Sequence, residues 1–178
     1  MRIFFLIFLF SLGCKSNNKD FTNSYMIPKK IPLDNNEISL LPFRWDAPTH
    51  WLVGDKSTMR VASYLIPSED GSADLSVIYL NGDGGGLAAN VNRWRKQLNL
   101  AELTIEEIEF RSKNFIGELG KYKIYKIINI DSKESAFLCA IIPADDFTIF
   151  VKLNTYLDNI NNLEEEFINF SSSFDYNE

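Results

Sequence analysis

The feature that most restricts how this chain can fold is a glycine-dense loop placed directly between a strand-like run and a helical run. Residues 75–80 are rich in β-formers, and glycines follow at positions 82, 84, 85 and 86. The next apolar residues recur at a helical period, at Leu87, Val91, Trp94 and Leu98. This pattern predicts an amphipathic helix packed on a sheet. Because glycine adopts positive φ at little cost, the loop is expected to reverse the chain sharply from strand to helix.

The same loop has a second interpretation, as a ligand-binding site. Glycine N–H groups beside a helix N-terminus can cradle an anion. The candidate ligand-binding residues are Gly84, Gly85, Gly86, Asn90 and Arg93. The loop lacks the Lys-Ser/Thr pair of a P-loop and the spacing of a dinucleotide-binding loop, and the carboxylate of Asp83 would repel phosphate. The sequence therefore favours a structural loop, with a small-ligand or anion receptor as the alternative.

The N-terminus has the pattern of a secretory signal peptide. Residues 1–13 contain one arginine, an apolar run too short to span a bilayer, and small residues near the end. Gly13-Cys14 resembles the end of a bacterial lipobox, although Ser11 and Leu12 stand where a leucine and a small residue are usual. We expect Cys14 to be acylated and to bind the lipid bilayer, with an ordinary signal peptide as the alternative.

The chain beyond the lipidation residue divides into a tether and one domain. Residues 14–37 are polar and proline-broken, which is typical of a flexible tether. Residues 38–178 are expected to form a single domain at the bacterial cell envelope, facing the periplasm or the exterior. Its expected partners are the lipid bilayer and an envelope protein. Cys139 has no partner for a disulfide once Cys14 is acylated, and its apolar neighbours predict a core position.

Charge and histidine content argue against several classes of function. The net charge is −6, whereas a nucleic-acid binder needs a basic face. His50 is the single histidine, so a zinc site is not expected, and the chain lacks a Gly-x-Ser-x-Gly elbow for a catalytic serine. We therefore predict a non-enzymatic domain with no catalytic residues, no metal site and no cofactor.

Alternating apolar residues predict a mainly antiparallel sheet. Residues 57–66, ended by Pro67, and residues 75–80 are expected to form a hairpin, with Met59, Val61, Ser63 and Leu65 on one face. Further strands are expected at residues 38–45, 114–117, 122–128, 135–142 and 147–153. The last of these alternates in polarity, which predicts a half-exposed strand with Lys152 pointing to solvent.

Two more helices are expected to flank this sheet. Thr104 and Glu107 have the spacing of a capping box at a helix start. A C-terminal helix is predicted by an apolar stripe at Ile160, Leu163, Phe167, Phe170 and Phe174, with the glutamates at 164–166 mostly facing solvent. In the helix after the glycine loop, Asn92 and Lys96 are expected to point away from the sheet. The resulting class is α+β, an antiparallel sheet flanked by helices.

Several motifs of this chain resemble those of bacterial proteins of the PsbP-like family, named after the extrinsic P protein of photosystem II. They are Trp45-x-x-Pro48-x-x-Trp51, Met59-Arg60-Val61-Ala62, Gly82-Asp83-Gly84-Gly85-Gly86 with Ala89-Asn90-Val91-Asn92-Arg93-Trp94-Arg95, and Phe150-Val151-Lys152-Leu153. The resemblance extends over about residues 43–174. It implies an α/β/α sandwich and a non-catalytic accessory or binding role. It brings no catalytic residues, and nothing in the sequence indicates a photosynthetic setting.

Overall fold

The structure, a computed structural model, describes residues 40–55, 57–68, 71–132 and 134–177. The predicted signal peptide, the lipidation residue Cys14 and the predicted tether therefore lie outside the described residues. The same is true of residues 38 and 39 of the first predicted strand, and of Glu69 and Asp70 in the first hairpin turn.

One large sheet runs through the middle of the described part of the chain. The strands are β1 (Phe43–Arg44), β2 (Leu52–Val53), β3 (Ala62–Ser68), β4 (Gly71–Asn81), β5 (Lys113–Gly117), β6 (Gly120–Ile128), β7 (Ala136–Pro143), β8 (Phe147–Thr155) and β9 (Asp175–Tyr176). The helices are α1 (Leu87–Gln97), α2 (Ile105–Arg111) and α3 (Glu164–Ser172), with a 3-10 turn at Leu157–Asn159. The sheet has the order β2-β3-β4-β8-β7-β6-β5, and β1 pairs separately with β9. All of these pairs are antiparallel.

Helices cover both faces of the sheet, so the domain has three layers. On one face α1 and α2 pack through Val91, Trp94, Leu98 and Ile108 against apolar side chains of β6, β7 and β8. On the other face α3 and the segment around β1 bury Phe43, Trp51, Phe167, Phe170 and Phe174. The predicted α+β class, an antiparallel sheet flanked by helices, is confirmed.

The helical predictions depend on the apolar period, and the structure confirms them. Of the stripe in α1, Val91, Trp94 and Leu98 are buried, and the C-terminal stripe from Ile160 to Phe174 is buried throughout. The capping box is present at α2, where the Glu107 N–H donates to Thr104 Oγ1 at 3.3 Å and the Thr104 N–H donates to Glu107 Oε2 at 2.9 Å.

The first hairpin strand, β3, differs from its prediction in its first and last residues and in which side chains face the core. It begins at Ala62 and continues through Pro67, so Met59 is 65% exposed and Pro67 does not end the strand. Ala62, Tyr64 and Ile66 face the core. Proline is tolerated here because β2 pairs only with Tyr64 and Leu65 of β3, which leaves Pro67 on an edge where a missing N–H costs little. The first strand is also shorter than expected, at Phe43–Arg44.

The prediction of a half-exposed β8 is wrong. β8 lies between β4 and β7 and is covered on both faces, so Thr148 and Phe150 are buried. Lys152 lies under α1 instead of in solvent. Its Nζ is 4.5 Å from the centroid of the Phe137 ring and donates to Gln97 Oε1 at 2.8 Å. The polar residues of β8 have partners on other elements: α1 supplies one for Lys152 and the loop after β4 supplies one for Thr148. The alternation in polarity therefore does not mark an exposed face.

Two further polar residues face inward where the sequence predicted solvent. Asn92 joins α1 to the segment before α2, because its side chain donates to the Leu103 carbonyl at 3.0 Å and accepts from the Leu103 N–H at 2.9 Å. Glu164 forms ion pairs with Lys113 at 2.7 Å and Lys126 at 2.6 Å, which ties α3 to β5 and β6. Helical spacing does not predict these contacts, because the partners of Asn92 and Glu164 lie outside the helix that carries each residue.

Candidate functional site

The glycine corner, residues 82–86, makes the strand-to-helix reversal that the sequence predicts. Gly82 and Gly84 have φ of +59° and +61°, and Gly85 and Gly86 have φ of +90° and +88°. Thr148 Oγ1 donates to the Gly82 carbonyl at 2.7 Å and the Gly82 N–H donates to the Asp146 carbonyl at 2.8 Å. The corner is thereby fixed to the turn between β7 and β8.

The N–H groups of Gly84, Gly85 and Gly86 all have partners within residues 81–86. The Gly85 N–H donates to Asp83 Oδ1 at 3.0 Å, so the carboxylate of the loop occupies a position that an external anion would need. The N–H groups of Gly84 and Gly86 donate to the carbonyls of Asn81 and Asp83 at 3.3 and 3.2 Å. These hydrogen bonds stabilise the loop, which gives its glycines a structural role.

Asn90 and Arg93 belong to the same network. The buried Asn90 amide donates to the carbonyls of Gly84 at 3.0 Å and Gly86 at 2.8 Å. An exposed Arg93 donates from Nη1 to Asn90 Oδ1 at 3.0 Å. The structure therefore brings four of the five predicted ligand-binding residues into one hydrogen-bonded chain, while Gly85 is held by Asp83.

A cleft of about 560 Å³ opens beside the corner, where the helix layer leaves part of the sheet uncovered. Its floor is built from register neighbours on β5 to β8. One row is Asn114, Lys123, Ile141 and Phe150, and the next contains Lys121, Pro143 and Thr148. Gly82, Asp83, Gly86 and Leu87 form the wall on the corner side. Of the predicted ligand-binding residues, only Gly86 is among those that line the cleft.

The cleft has an apolar centre and a charged rim. Leu87, Ile141 and Phe150 supply the apolar surface, whereas Lys121 and Asp83 carry opposite charges on opposite sides. Lys123, which also lines the cleft, is paired with Glu109 of α2. Ligand sites typically measure about 300–1,000 Å³ and combine an apolar lining with a few polar groups. The arrangement suits a small amphipathic molecule.

Sequence reasoning did not find the cleft-lining residues of the sheet. In the sequence, Lys123, Ile141 and Phe150 belong to predicted strands and Lys121 lies just before one, and none of them is marked as a ligand-binding residue. The register of four strands brings them together, and the limited length of the helix layer exposes them. The one signal in the sequence was indirect: the glycine corner, where α1 begins, forms one wall of the cleft.

The other titratable candidates have structural surroundings. His50 Nε2 lies 2.7 Å from Glu166 Oε1 at the surface. Cys139 is buried as predicted, and burial raises the pKa of its thiol far above the usual range, which makes it unreactive. Among the described residues, no group of three or more His, Cys, Asp or Glu side chains could hold a metal ion. Within the described ranges, no helix is both long enough and apolar enough to cross a bilayer.

No protein-family model matches this chain, and no curated protein matches it. It is similar to the solution structure of cyanobacterial PsbP (CyanoP) from Synechocystis sp. PCC 6803, with 18% sequence identity and a TM-score of 0.51, covering 81% of this chain and 89% of that one. The chain thus has a PsbP-like fold, as its motifs predicted. It also matches LpqN, involved in cell envelope biogenesis of Mycobacterium tuberculosis, with 10% identity and a TM-score of 0.43, covering 76% and 83% of the two chains.

Proposed function

We propose that this chain is a membrane-tethered, non-enzymatic binding domain of the bacterial cell envelope, with its ligand in the cleft beside the glycine corner. An acylated Cys14 would attach it to the lipid bilayer, with the domain facing the periplasm or the exterior. An envelope protein is the expected further partner. The observation that carries the proposal is the cleft itself, about 560 Å³ of mostly apolar surface with charges at its rim.

The ligand class follows from the lining. Leu87, Ile141 and Phe150 offer apolar contact to the body of a ligand, and burying apolar surface contributes about 25 cal/mol per Å². Polar ends of the ligand can reach Lys121 or Asp83 at the rim. A small amphipathic molecule meets both requirements. The lining pairs no nucleophile with a base, which supports binding over catalysis.

The contacts in the corner favour this site over a receptor built on the corner itself. Such a receptor would use Gly84, Gly85, Gly86, Asn90 and Arg93 to hold an anion. The side-chain nitrogen of Asn90 already donates to two corner carbonyls, and Asp83 already accepts the Gly85 N–H. A ligand at the corner would have to displace these bonds, whereas a ligand in the cleft would not.

The test is native mass spectrometry of the full chain purified from its own membranes. Asn114 is an exposed cleft residue on β5, so Asn114→Trp should fill the cleft without changing the core. We expect ligand occupancy to fall at least about tenfold, which corresponds to about 1.4 kcal/mol of binding free energy. Asn162→Trp is the matched control, since Asn162 is exposed and lies outside the cleft lining. A chain that carries no small molecule, or equal occupancy in both variants, contradicts the proposal.

A further inference from the structure

A second gap in the same helix layer, here called the arginine gap, lies at the end away from the glycine corner. It measures about 280 Å³ and its lining includes Arg95, Leu103, Arg111 and Tyr125. β5 pairs with β6 no further than Ile124, so the rest of β6 has a neighbouring strand only on its β7 side. The arginine gap lies beside this unpaired part of β6, between it and the two helices.

Two guanidinium groups line the gap, and neither forms an ion pair with any residue that the structure describes. Arg95 Nε donates to the Ala101 carbonyl at 2.8 Å, which orients the group, and its Nη atoms bind no side chain among the described residues. Arg111 is exposed at the end of α2, with no hydrogen bond or ion pair to the described part of the chain. Burial and the neighbouring Arg111 cation lower the pKa of Arg95, while Glu107 opposes the shift. Glu107 is itself engaged in the capping box, since its Oε2 accepts the Thr104 N–H.

Tyr125 forms part of the wall of the same gap. Its hydroxyl is buried with no hydrogen-bond partner among the described residues. Burial, together with the Glu109 carboxylate, raises the pKa of Tyr125 to about 12, so the hydroxyl keeps its proton at neutral pH. The Ser112 hydroxyl opposes this shift but donates its own hydrogen to the Glu109 carbonyl.

We infer that the arginine gap binds an oxyanion, a phosphate or carboxylate group, with Arg95 and Arg111 as its charged donors. A guanidinium presents paired N–H groups that match such an anion, and charge-assisted hydrogen bonds are the stronger kind. Lys126 also lines the gap, but its Nζ reaches Glu164 and Asn161 on the other face of the sheet and adds no charge here. The site is separate from the apolar cleft and stands independently of it.

Inorganic phosphate is the probe, titrated at constant ionic strength into the full chain carrying Cys14→Ser and followed by amide NMR. We expect saturable shifts at the amides of residues 95–103 and 125–128. Arg111→Gln should weaken binding about tenfold because it removes one charge-assisted contact. Lys96→Gln is the matched control, removing the same charge from an exposed position of α1, and should change affinity less than about twofold.

Shifts that do not saturate, or equal affinity of Arg111→Gln and Lys96→Gln, overturn the inference. If Arg111→Gln does not fold, Arg111→Lys replaces it, since lysine keeps the charge but loses the paired N–H groups. Flotation with phosphatidylcholine vesicles, with and without phosphatidic acid, identifies the source of the anion. Binding to phosphatidic acid that depends on Arg111 assigns a lipid headgroup, and binding of phosphate alone assigns a soluble ligand. Either result supports the oxyanion site.

Discussion

Gly82 and Gly84 have almost the same φ angle but different surroundings. Their φ values are +59° and +61°, so any other residue at either position adopts a left-handed conformation. A Cβ at Gly84 would lie 2.5 Å from two atoms of the Phe150 ring, whereas a Cβ at Gly82 meets nothing within 4 Å. Position 82 therefore favours glycine because of its positive φ. Position 84 favours glycine for the same reason and also because a side chain there would clash with Phe150 of β8.

Replacing these glycines by alanine separates the two requirements. Gly82→Ala should lower the free energy of unfolding by about 1–2 kcal/mol, the cost of a left-handed residue. Gly84→Ala should cost about 1–3 kcal/mol more, because the nearly buried ring of Phe150 must move away from the new Cβ. Urea unfolding followed by circular dichroism measures both. Equal losses in the two variants would show that Phe150 does not restrict the corner.

At the scale of elements, the sequence correctly predicted the helices whose apolar residues recur at the helical period and form a single buried face. The stripe of α1 and the C-terminal stripe are buried because each helix covers the sheet on a single side. Sequence-based prediction was wrong for β8, where both faces are covered and Lys152 binds Gln97 across layers. It was also wrong for Glu164, which meets lysines of β5 and β6. Contacts between distant elements leave no local period, so the sequence does not show them.

The ion pairs of Glu164 predict a pH-dependent attachment of α3. Hydrogen bonds from Lys113 and Lys126 hold the pKa of this carboxyl below its usual value. A carboxyl whose pKa is lower in the folded state stabilises the fold above its unfolded pKa, and this stability is lost as pH falls through the folded pKa. Glu164→Gln should therefore lower the free energy of unfolding by about 1–2 kcal/mol at neutral pH.

The difference between Glu164→Gln and the unsubstituted chain should shrink towards zero as pH falls through the lowered pKa of the Glu164 carboxyl, where that carboxyl becomes protonated. Urea unfolding over a pH series measures it. Glu165→Gln is the matched control, because Glu165 is exposed and should change stability by less than about 0.5 kcal/mol. A loss of stability that is the same at every pH would show that Glu164 acts through packing instead of charge.

At the scale of the whole molecule, both candidate sites lie where the sheet extends beyond the two helices that cover one of its faces. The sheet extends beyond α1 and α2, so the cleft opens at the glycine corner and the arginine gap opens beside β6. The sequence predicted the sheet, the helices and the corner, which depend on local periods and on glycine. It did not predict either opening, because an opening depends on where one layer stops over another. Lys121 and Arg111 are ordinary surface cations in the sequence and become site residues only because the sheet extends beyond these helices.

The proposed lipid anchor would determine where these openings act, and Cys14 is the residue that tests it. Each CH₂ of an acyl chain buried in a bilayer contributes about 0.8 kcal/mol, so loss of the acyl chains should release the protein almost completely. Cys14→Ser in cells should move the chain from the membrane fraction to the soluble fraction. Membranes are washed in high salt first, because salt screens attachment by surface charge. Cys139→Ala is the control, since Cys139 is buried in the core, and it should leave the distribution unchanged. A Cys14→Ser chain that stays with salt-washed membranes would mean that another part of the protein holds it there.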